Sequence, residues 1–275
     1  MSLRAKLGGL TALLIIASGH AMADEPPPAV SDLNIGGLVM AGADDADARV
    51  LAGVKATFPL FHRSLGMQVE GGIGDDHYFG TGAHLFWRDP TMGLLGVVAT
   101  LESQDGVGLN RAGAEAELYL GQFTLAGVLG YEDGPTKDGA FGRLTGIFYP
   151  DETVAVRVGG EFTPILNLAR FAVEWQPMLD GYQEFSIFGT GEYTDRHTGN
   201  IMLGVRFHLG EEGVTLQRRE RYEDPDFAIF NILPTAAGTG SNPAAPPPPT
   251  CTAEMMRREI CFIDSDGTVI FFDTR

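Results

Sequence analysis

The sequence predicts an all-β fold, namely an antiparallel transmembrane β-barrel of about 12 strands with a short C-terminal linker and a small tail unit. From Leu33 to Gly210, runs of about ten residues alternate apolar and polar side chains, and clusters of Gly, Asp and Pro separate the runs. No stretch after residue 23 has the roughly 20 apolar residues of a transmembrane helix. Because only helices and closed barrels satisfy every backbone polar group in lipid, a membrane location requires a barrel.

The alternation is clearest in the later runs. Every second residue from Ile201 to Leu209 is a large apolar one, whereas the residues between them include Arg206 and His208. A period of two cannot bury one face of a helix, so the runs are predicted as strands. The predicted strands begin near Leu33, Arg49, Ser64, Tyr78, Met92, Leu109, Gln122, Gly139, Thr153, Asn167, Tyr182 and Asn200.

The phase of the alternation assigns one face of each strand to lipid and the other to the lumen. A soluble β-sandwich would share this period, but the even strand number and the short, alternating turns favour the membrane. Opposite charges in a confined lumen should pair, so we expect a narrow, salt-bridged lumen. The predicted lumen-facing charges are Lys55, Glu70, Arg88, Glu102, Arg111, Glu115, Glu117, Arg143, Arg157, Glu161, Arg170, Glu174, Glu184, Glu192 and Arg206.

The first 23 residues predict a cleaved signal peptide. Arg4 and Lys6 form a basic start, residues 10–17 form an apolar core, and Ala21-Met22-Ala23 forms a cleavage site. A Pro-rich lead over residues 24–32 would then begin the exported chain.

The chain is acidic, with 19 Lys and Arg against 36 Asp and Glu and a formal net charge of −17 at pH 7. An acidic chain repels phosphate backbones, so nucleic acid is not an expected partner.

Beyond the predicted barrel at residues 33–210, residues 211–250 predict a polar segment and a Pro-rich linker. Residues 251–275 predict a small hairpin unit, with strands at 260–264 and 268–273. Cys251 and Cys261 predict a disulfide in an exported protein, since the tail has no histidine to complete a zinc site.

The segment from Leu203 to Gly210 resembles the closing strand of Gram-negative outer-membrane β-barrels, and residues 82–90 resemble a barrel strand that runs into a tight periplasmic turn. This resemblance is to a generic porin-like superfamily, covers residues 33–210 and identifies no specific family. It implies a cell outer-membrane location, with outer-membrane lipid and the barrel-insertion machinery as partners. In many such families the closing strand ends the chain, whereas about 65 residues follow it here.

We therefore expect a non-enzymatic barrel with a structural or small-solute channel role and with no metal or cofactor. The order of signal, barrel, linker and C-terminal unit is also similar to inverse autotransporters, so one alternative is a barrel that displays its tail. The tail would then meet a surface protein, and otherwise a periplasmic one.

A lipid-modifying enzyme is the third alternative, and it needs a nucleophile beside a base. The candidates His62, Ser64 and His84 have no acid placed by the sequence to orient a histidine. The solute, the side of the membrane that the tail occupies and the open or closed state of the pore are left open by the sequence.

Overall fold

The computed structural model describes residues 28–44, 47–134, 136–177, 185–209, 213–231, 261–263 and 269–271. Within them, 12 antiparallel strands form one closed barrel, which confirms the predicted fold class. Among the described residues, no helix combines the length and the apolar character that crossing a membrane requires. The barrel strands are β1 (Asn34–Asp44), β2 (Ala48–Pro59), β3 (Leu65–Gly74), β4 (Phe79–Asp89), β5 (Gly93–Gln104), β6 (Val107–Leu120), β7 (Phe123–Asp133), β8 (Gly139–Asp151), β9 (Val154–Phe162), β10 (Asn167–Trp175), β11 (Phe185–Thr194) and β12 (Gly199–Leu209).

Each strand pairs with its neighbours in sequence, and β1 closes the ring by pairing with β12 from Ile35↔Leu209 to Asp44↔Asn200. The barrel therefore has no free edge strand. We call the end at which β1 begins and β12 ends the terminal end, and the opposite end the distal end. The turns at residues 121–122 and 152–153 lie at the terminal end, whereas those at 75–78 and 105–106 lie at the distal end.

The outer surface of the barrel is apolar, because alternate residues of each strand point away from the lumen. Trp87 and Trp175 are exposed near the terminal end, and Tyr131 and Tyr193 are exposed near the distal end. Aromatic residues at both ends of an apolar band are typical of membrane barrels, where they lie at the two lipid–water interfaces.

The chain beyond β12 turns back into the barrel. We call residues 214–231 the strap; it includes helix α1 (Leu216–Tyr222) and a following extended segment. At the terminal end, the backbone N–H of Gln217 donates to the carbonyl of Glu152 at 2.9 Å. Near the distal end, the ring of Phe230 stacks on Tyr78 with centroids 5.5 Å apart, and the N–H of Asn231 donates to Glu102 at 2.8 Å. The strap therefore runs lengthwise through the lumen.

A row of three glycines makes room for the strap on one side of the barrel. Gly53 pairs with Gly72, and Gly72 pairs with Gly80, across β2, β3 and β4. A Cβ atom at Gly72 would lie 2.8 Å from Cε1 of Phe230 and 2.9 Å from Cδ1 of Ile229. The missing side chains thus form a groove, and Phe227 and Phe230 pack there against the largest cluster of buried apolar residues.

The described part of the lead, residues 28–32, also enters the barrel, at the terminal end. Ala29 and Val30 are fully buried and pack with Phe86 and Leu94. The hydroxyl of Ser31 donates to the carboxylate of Glu223 at 2.7 Å, directly after α1. The lead and the strap therefore hold each other at this end.

The tail contains a second, two-stranded antiparallel sheet of β13 (Cys261–Ile263) and β14 (Val269–Phe271). These strands lie within the two that the sequence predicts for the hairpin. The predicted signal peptide, the proposed strand start at Tyr182 and Cys251 lie outside the described residues, so the disulfide stays a prediction.

Replacing Gly72 with Leu should displace Ile229 and Phe230 from the groove, because the new side chain would take their space. Overpacking of this kind costs about 1–3 kcal/mol, so the folded barrel should change its gel mobility in detergent at a lower temperature than the wild type. Gly71→Leu is the matched control, since Gly71 is at the alternate position and its Cβ would come no closer than 3.8 Å to the carbonyl of Gly80. Equal transition temperatures for the two variants would contradict the groove assignment.

Candidate functional site: the charged lumen

The structure describes all the predicted lumen charges except Glu184, which lies outside the described residues. These side chains occupy inward positions of the strands. Some are partly exposed to the lumen, namely Glu117, Arg143, Arg170, Glu192 and Arg206. The others are buried, namely Lys55, Glu70, Arg88, Glu102, Arg111, Glu115, Arg157, Glu161 and Glu174.

Glu161 on β9 is the centre of one charge cluster. Its carboxylate contacts Arg111 at 2.8 Å, Arg143 at 2.7 Å and Arg170 at 3.1 Å, and its side chain has no exposed surface. The three arginines come from β6, β8 and β10, so the cluster ties together strands on both sides of β9. A carboxylate surrounded in this way is stabilised, because each charge-assisted contact offsets part of the cost of leaving water.

Two further carboxylates balance the positive charge around Glu161. Glu132 contacts Arg111 at 2.8 Å, and Glu192 contacts Arg170 at 3.0 Å. With Arg143, the cluster thus contains three bases and three acids, all supplied by strands.

Glu174 on β10 is the centre of a second cluster, in which strand residues alone do not balance. Its carboxylate contacts Arg157 at 3.0 Å and the hydroxyl of Ser186 at 2.5 Å, and it lies 3.7 Å from Arg206. Two guanidinium groups therefore share one strand carboxylate.

The strap supplies the missing carboxylates of this second cluster. Glu220 on α1 forms an ion pair with Arg157 and accepts a hydrogen bond from the hydroxyl of Tyr149 at 2.6 Å. Asp226 contacts Arg206 at 2.7 Å. The strap therefore both fills the lumen and neutralises positive charge on its wall.

On the opposite wall, carboxylates hold the main chain of the strap. Glu70 accepts the backbone N–H groups of Ala228 at 2.8 Å and Ile229 at 3.0 Å. Glu102 accepts both the backbone N–H of Asn231 at 2.8 Å and its side-chain amide at 2.9 Å. Glu70 therefore holds the strap through main-chain donors, whereas Glu102 also uses the side chain of Asn231.

Three more charged residues have partners near the terminal end or the middle of the lumen. Lys55 donates to the carbonyl of Pro225 at 2.7 Å. Arg88 donates to the carbonyl of Ala29 at 3.1 Å and lies over the ring of Phe86. The carboxylate of Glu117 accepts a hydrogen bond from the hydroxyl of Tyr119 at 2.9 Å.

The histidines considered for catalysis lie in two different places. His84 is buried in the lumen, where its Nδ1 lies 2.9 Å from Glu115 and its Nε2 lies 3.8 Å from Glu70. His62 lies 2.7 Å from the hydroxyl of Ser64, exposed in the terminal-end turn between β2 and β3. Within the described residues, no group of three or more His, Cys, Asp or Glu has a geometry that could hold a metal ion.

Glu132 and the strap carboxylates are the site residues that sequence reasoning missed. Glu132 lies near the end of β7, and its side chain is buried in the lumen. The phase of β7 carries the signal, since Thr124 and Glu132 are an even number of residues apart and both face inward. Glu220 and Asp226 had no such signal, because the strap has no period of two.

Among the described residues, two of the cavities beside the strap are large enough to matter for a ligand. One of about 180 Å³ lies towards β8–β12, and one of about 120 Å³ lies towards β4–β9. Asp226 and Phe227 of the strap line both cavities.

The sequence matches no protein-family model and no curated protein. Among solved structures, the KdgM porin has a TM-score of 0.50 at 9% identity, with 64% of this chain and 99% of that chain covered. The COG4313 outer membrane channel from Pseudomonas putida F1 has a TM-score of 0.48 at 10% identity, with 70% and 99% covered. The outer membrane phospholipase A from Escherichia coli has a TM-score of 0.47 at 11% identity, with 66% and 94% covered.

At such low identity the likeness to the KdgM porin concerns the fold, and the closed ring of 12 antiparallel strands agrees with it. The chain therefore has a closed, 12-stranded antiparallel barrel fold similar to that of the KdgM porin.

Proposed function

We propose that the signal peptide directs export of this protein to the outer membrane. There the barrel presents its C-terminal unit on the side of the distal end, opposite the terminal end. The observation that carries this proposal is the path of the strap, from the terminal end to the distal end of the lumen. The linker that follows Asn231 then starts near the distal turns. With the terminal end of the barrel in the periplasm, the tail would lie at the cell surface, as in the inverse-autotransporter alternative.

The contacts along the strap support a stable position of the strap inside the lumen. Glu70 and Glu102 hold its backbone, and Arg157 and Arg206 hold its carboxylates. These groups come from walls on both sides of the strap, so the strap is fixed across the width of the lumen. The barrel would accordingly have a narrow, occluded lumen when the strap is in place.

A channel role is the second candidate, because the two cavities leave free volume beside the strap. In this role the protein would be a porin-like barrel in which the strap restricts the passage of small solutes. A catalytic role has less support, since His84 is enclosed by two carboxylates and His62 lies with Ser64 on an exposed turn. We propose a non-enzymatic protein.

Epitope tags should locate the tail relative to the barrel. A tag after Arg275 and a tag in the distal turn at residues 105–106 should both bind antibody on intact cells. A tag in the terminal turn at residues 121–122 should bind only after the outer membrane is permeabilised. Labelling of the tail tag only in permeabilised cells, together with surface labelling of the distal turn, would refute display of the tail.

Truncation should separate the strap from the tail as the cause of occlusion. Protein ending at Gly213 lacks the strap and should show larger and more frequent conductance steps in planar bilayers. Protein ending at Asn231 keeps the strap but lacks the linker and tail, and it should conduct as little as the full chain. The heat-dependent gel shift would verify that both truncated barrels are folded. A wide, steady conductance of the full chain would count against an occluded lumen.

The tail unit should carry a disulfide between Cys251 and Cys261. A unit of about 25 residues has too little core to be stable alone, so it needs a covalent link or a docking surface. Protein purified from the cell envelope should take up alkylating reagent at these thiols only after reduction, as measured by mass spectrometry. Full alkylation of both cysteines without reductant would rule the disulfide out.

A further inference from the structure

The larger cavity has an unusual arrangement of charge. Four guanidinium groups line it, those of Arg143, Arg157, Arg170 and Arg206. Among the described residues, the carboxylates that line it are those of Glu192 and Asp226. The cavity of about 180 Å³ is larger than the roughly 150 Å³ that suffices to hold benzene in a protein interior.

The carboxylates that balance these arginines lie behind them. Glu161 and Glu174 have no exposed side-chain surface, whereas the four arginine side chains keep 9–22% of theirs exposed. Glu192 lines the cavity, whereas Glu161 and Glu174 are separated from it by the guanidinium groups.

The arginines also keep donor capacity that protein acceptors do not use. Within the described residues, the buried Nε atoms of Arg157, Arg170 and Arg206 have no hydrogen-bond partner. A guanidinium group presents its donors in a planar fork that matches a carboxylate or a phosphate. These Nε atoms are enclosed, so an anion in the cavity would meet the accessible edges of the three guanidinium groups.

The strap places its own anions against this surface. Asp226 contacts Arg206 at 2.7 Å and lines the cavity, and Glu220 pairs with Arg157 from the side of α1. Both carboxylates belong to the strap and not to the barrel wall.

We propose that Arg157, Arg170 and Arg206 form an anion-binding site on the lumen wall, which the strap occupies with Asp226 as a built-in ligand. The chemical class that this site takes is a small carboxylate or phosphate anion. The strap thereby limits access of such anions to the wall. The inference concerns the wall and does not depend on which side of the membrane the tail occupies.

Chemical rescue tests the site directly. Asp226→Ala removes the built-in carboxylate, so the heat-dependent gel shift in detergent should occur at a lower temperature. Sodium acetate, exchanged for sodium chloride at constant ionic strength, should restore the transition temperature of this variant in a saturable manner. The reason is that acetate can accept two parallel hydrogen bonds from one guanidinium group, which chloride cannot.

The matched control is Asp44→Ala, which also breaks an Arg–Asp pair, the contact of 2.8 Å with Arg49, but at the distal end of the wall and away from the cavity. Acetate should leave this variant unchanged. Adding Arg206→Gln to Asp226→Ala should abolish the rescue. An equal response of all variants to acetate, or no response of a folded Asp226→Ala barrel, would overturn the proposal.

A second measurement applies even if the Ala variant fails to fold. Asp226→Asn keeps the shape of the side chain and removes its charge. In planar bilayers with a KCl gradient, its reversal potential should shift towards that of chloride relative to the wild type, whereas Asp44→Asn should not shift it. An unchanged reversal potential, or a shift towards that of potassium, would refute a positively charged wall behind the strap.

Discussion

Charged side chains inside the barrel lie away from bulk water, and each needs an opposite charge or a strong hydrogen-bond partner nearby. The desolvation of one unpaired ion costs several kcal/mol even after relaxation, which is comparable with the whole stability of a domain. The lumen meets this constraint with two clusters, one around Glu161 and one around Glu174. Five arginines of the lumen wall contact one or other of these two carboxylates.

The two clusters differ in which segments supply the carboxylates that neutralise their arginines. Around Glu161, the strands supply three acids for three arginines. Around Glu174, two arginines share one strand carboxylate, and the strap completes the balance with Glu220 and Asp226. This explains the composition of the segment after β12. Its carboxylates face the wall of the lumen and pair there with arginines. In the sequence alone, such a polar segment looks like a solvated linker.

The sequence was sufficient for the barrel because strand position and inward phase are local properties. Most predicted strand starts lie within one or two residues of the observed ones, since each run alternates on its own and ends at Gly, Asp or Pro. The phase also identified Arg157 and Glu174 as inward residues. It says nothing about which charges meet, because partners such as Arg111 and Glu161 are 50 residues apart and are joined only by the register of three strand pairs.

The position of the strap and the lead inside the barrel could not be predicted from the sequence, for a related reason. An extended segment inside a barrel is held by the wall and needs no period of its own, so Ala228 and Asn231 carry no pattern. The glycines at 53, 72 and 80 were visible, but small residues occur for many reasons in strands. Only the register, which sets them side by side, shows that they make one groove.

Helix α1 gives the strap a mechanical property. An α-helix with its side chains is about 10–12 Å across, wider than the extended chain that follows it through the lumen. Gln217 hydrogen-bonds to Glu152 and Gly121, and Arg221 binds the carbonyl of Phe123, so the helix rests against the terminal-end turns. A force pulling the chain towards the distal end would be opposed by these hydrogen bonds and by the ion pair between Glu220 and Arg157, so strands of the closed ring would bear the load at the terminal end.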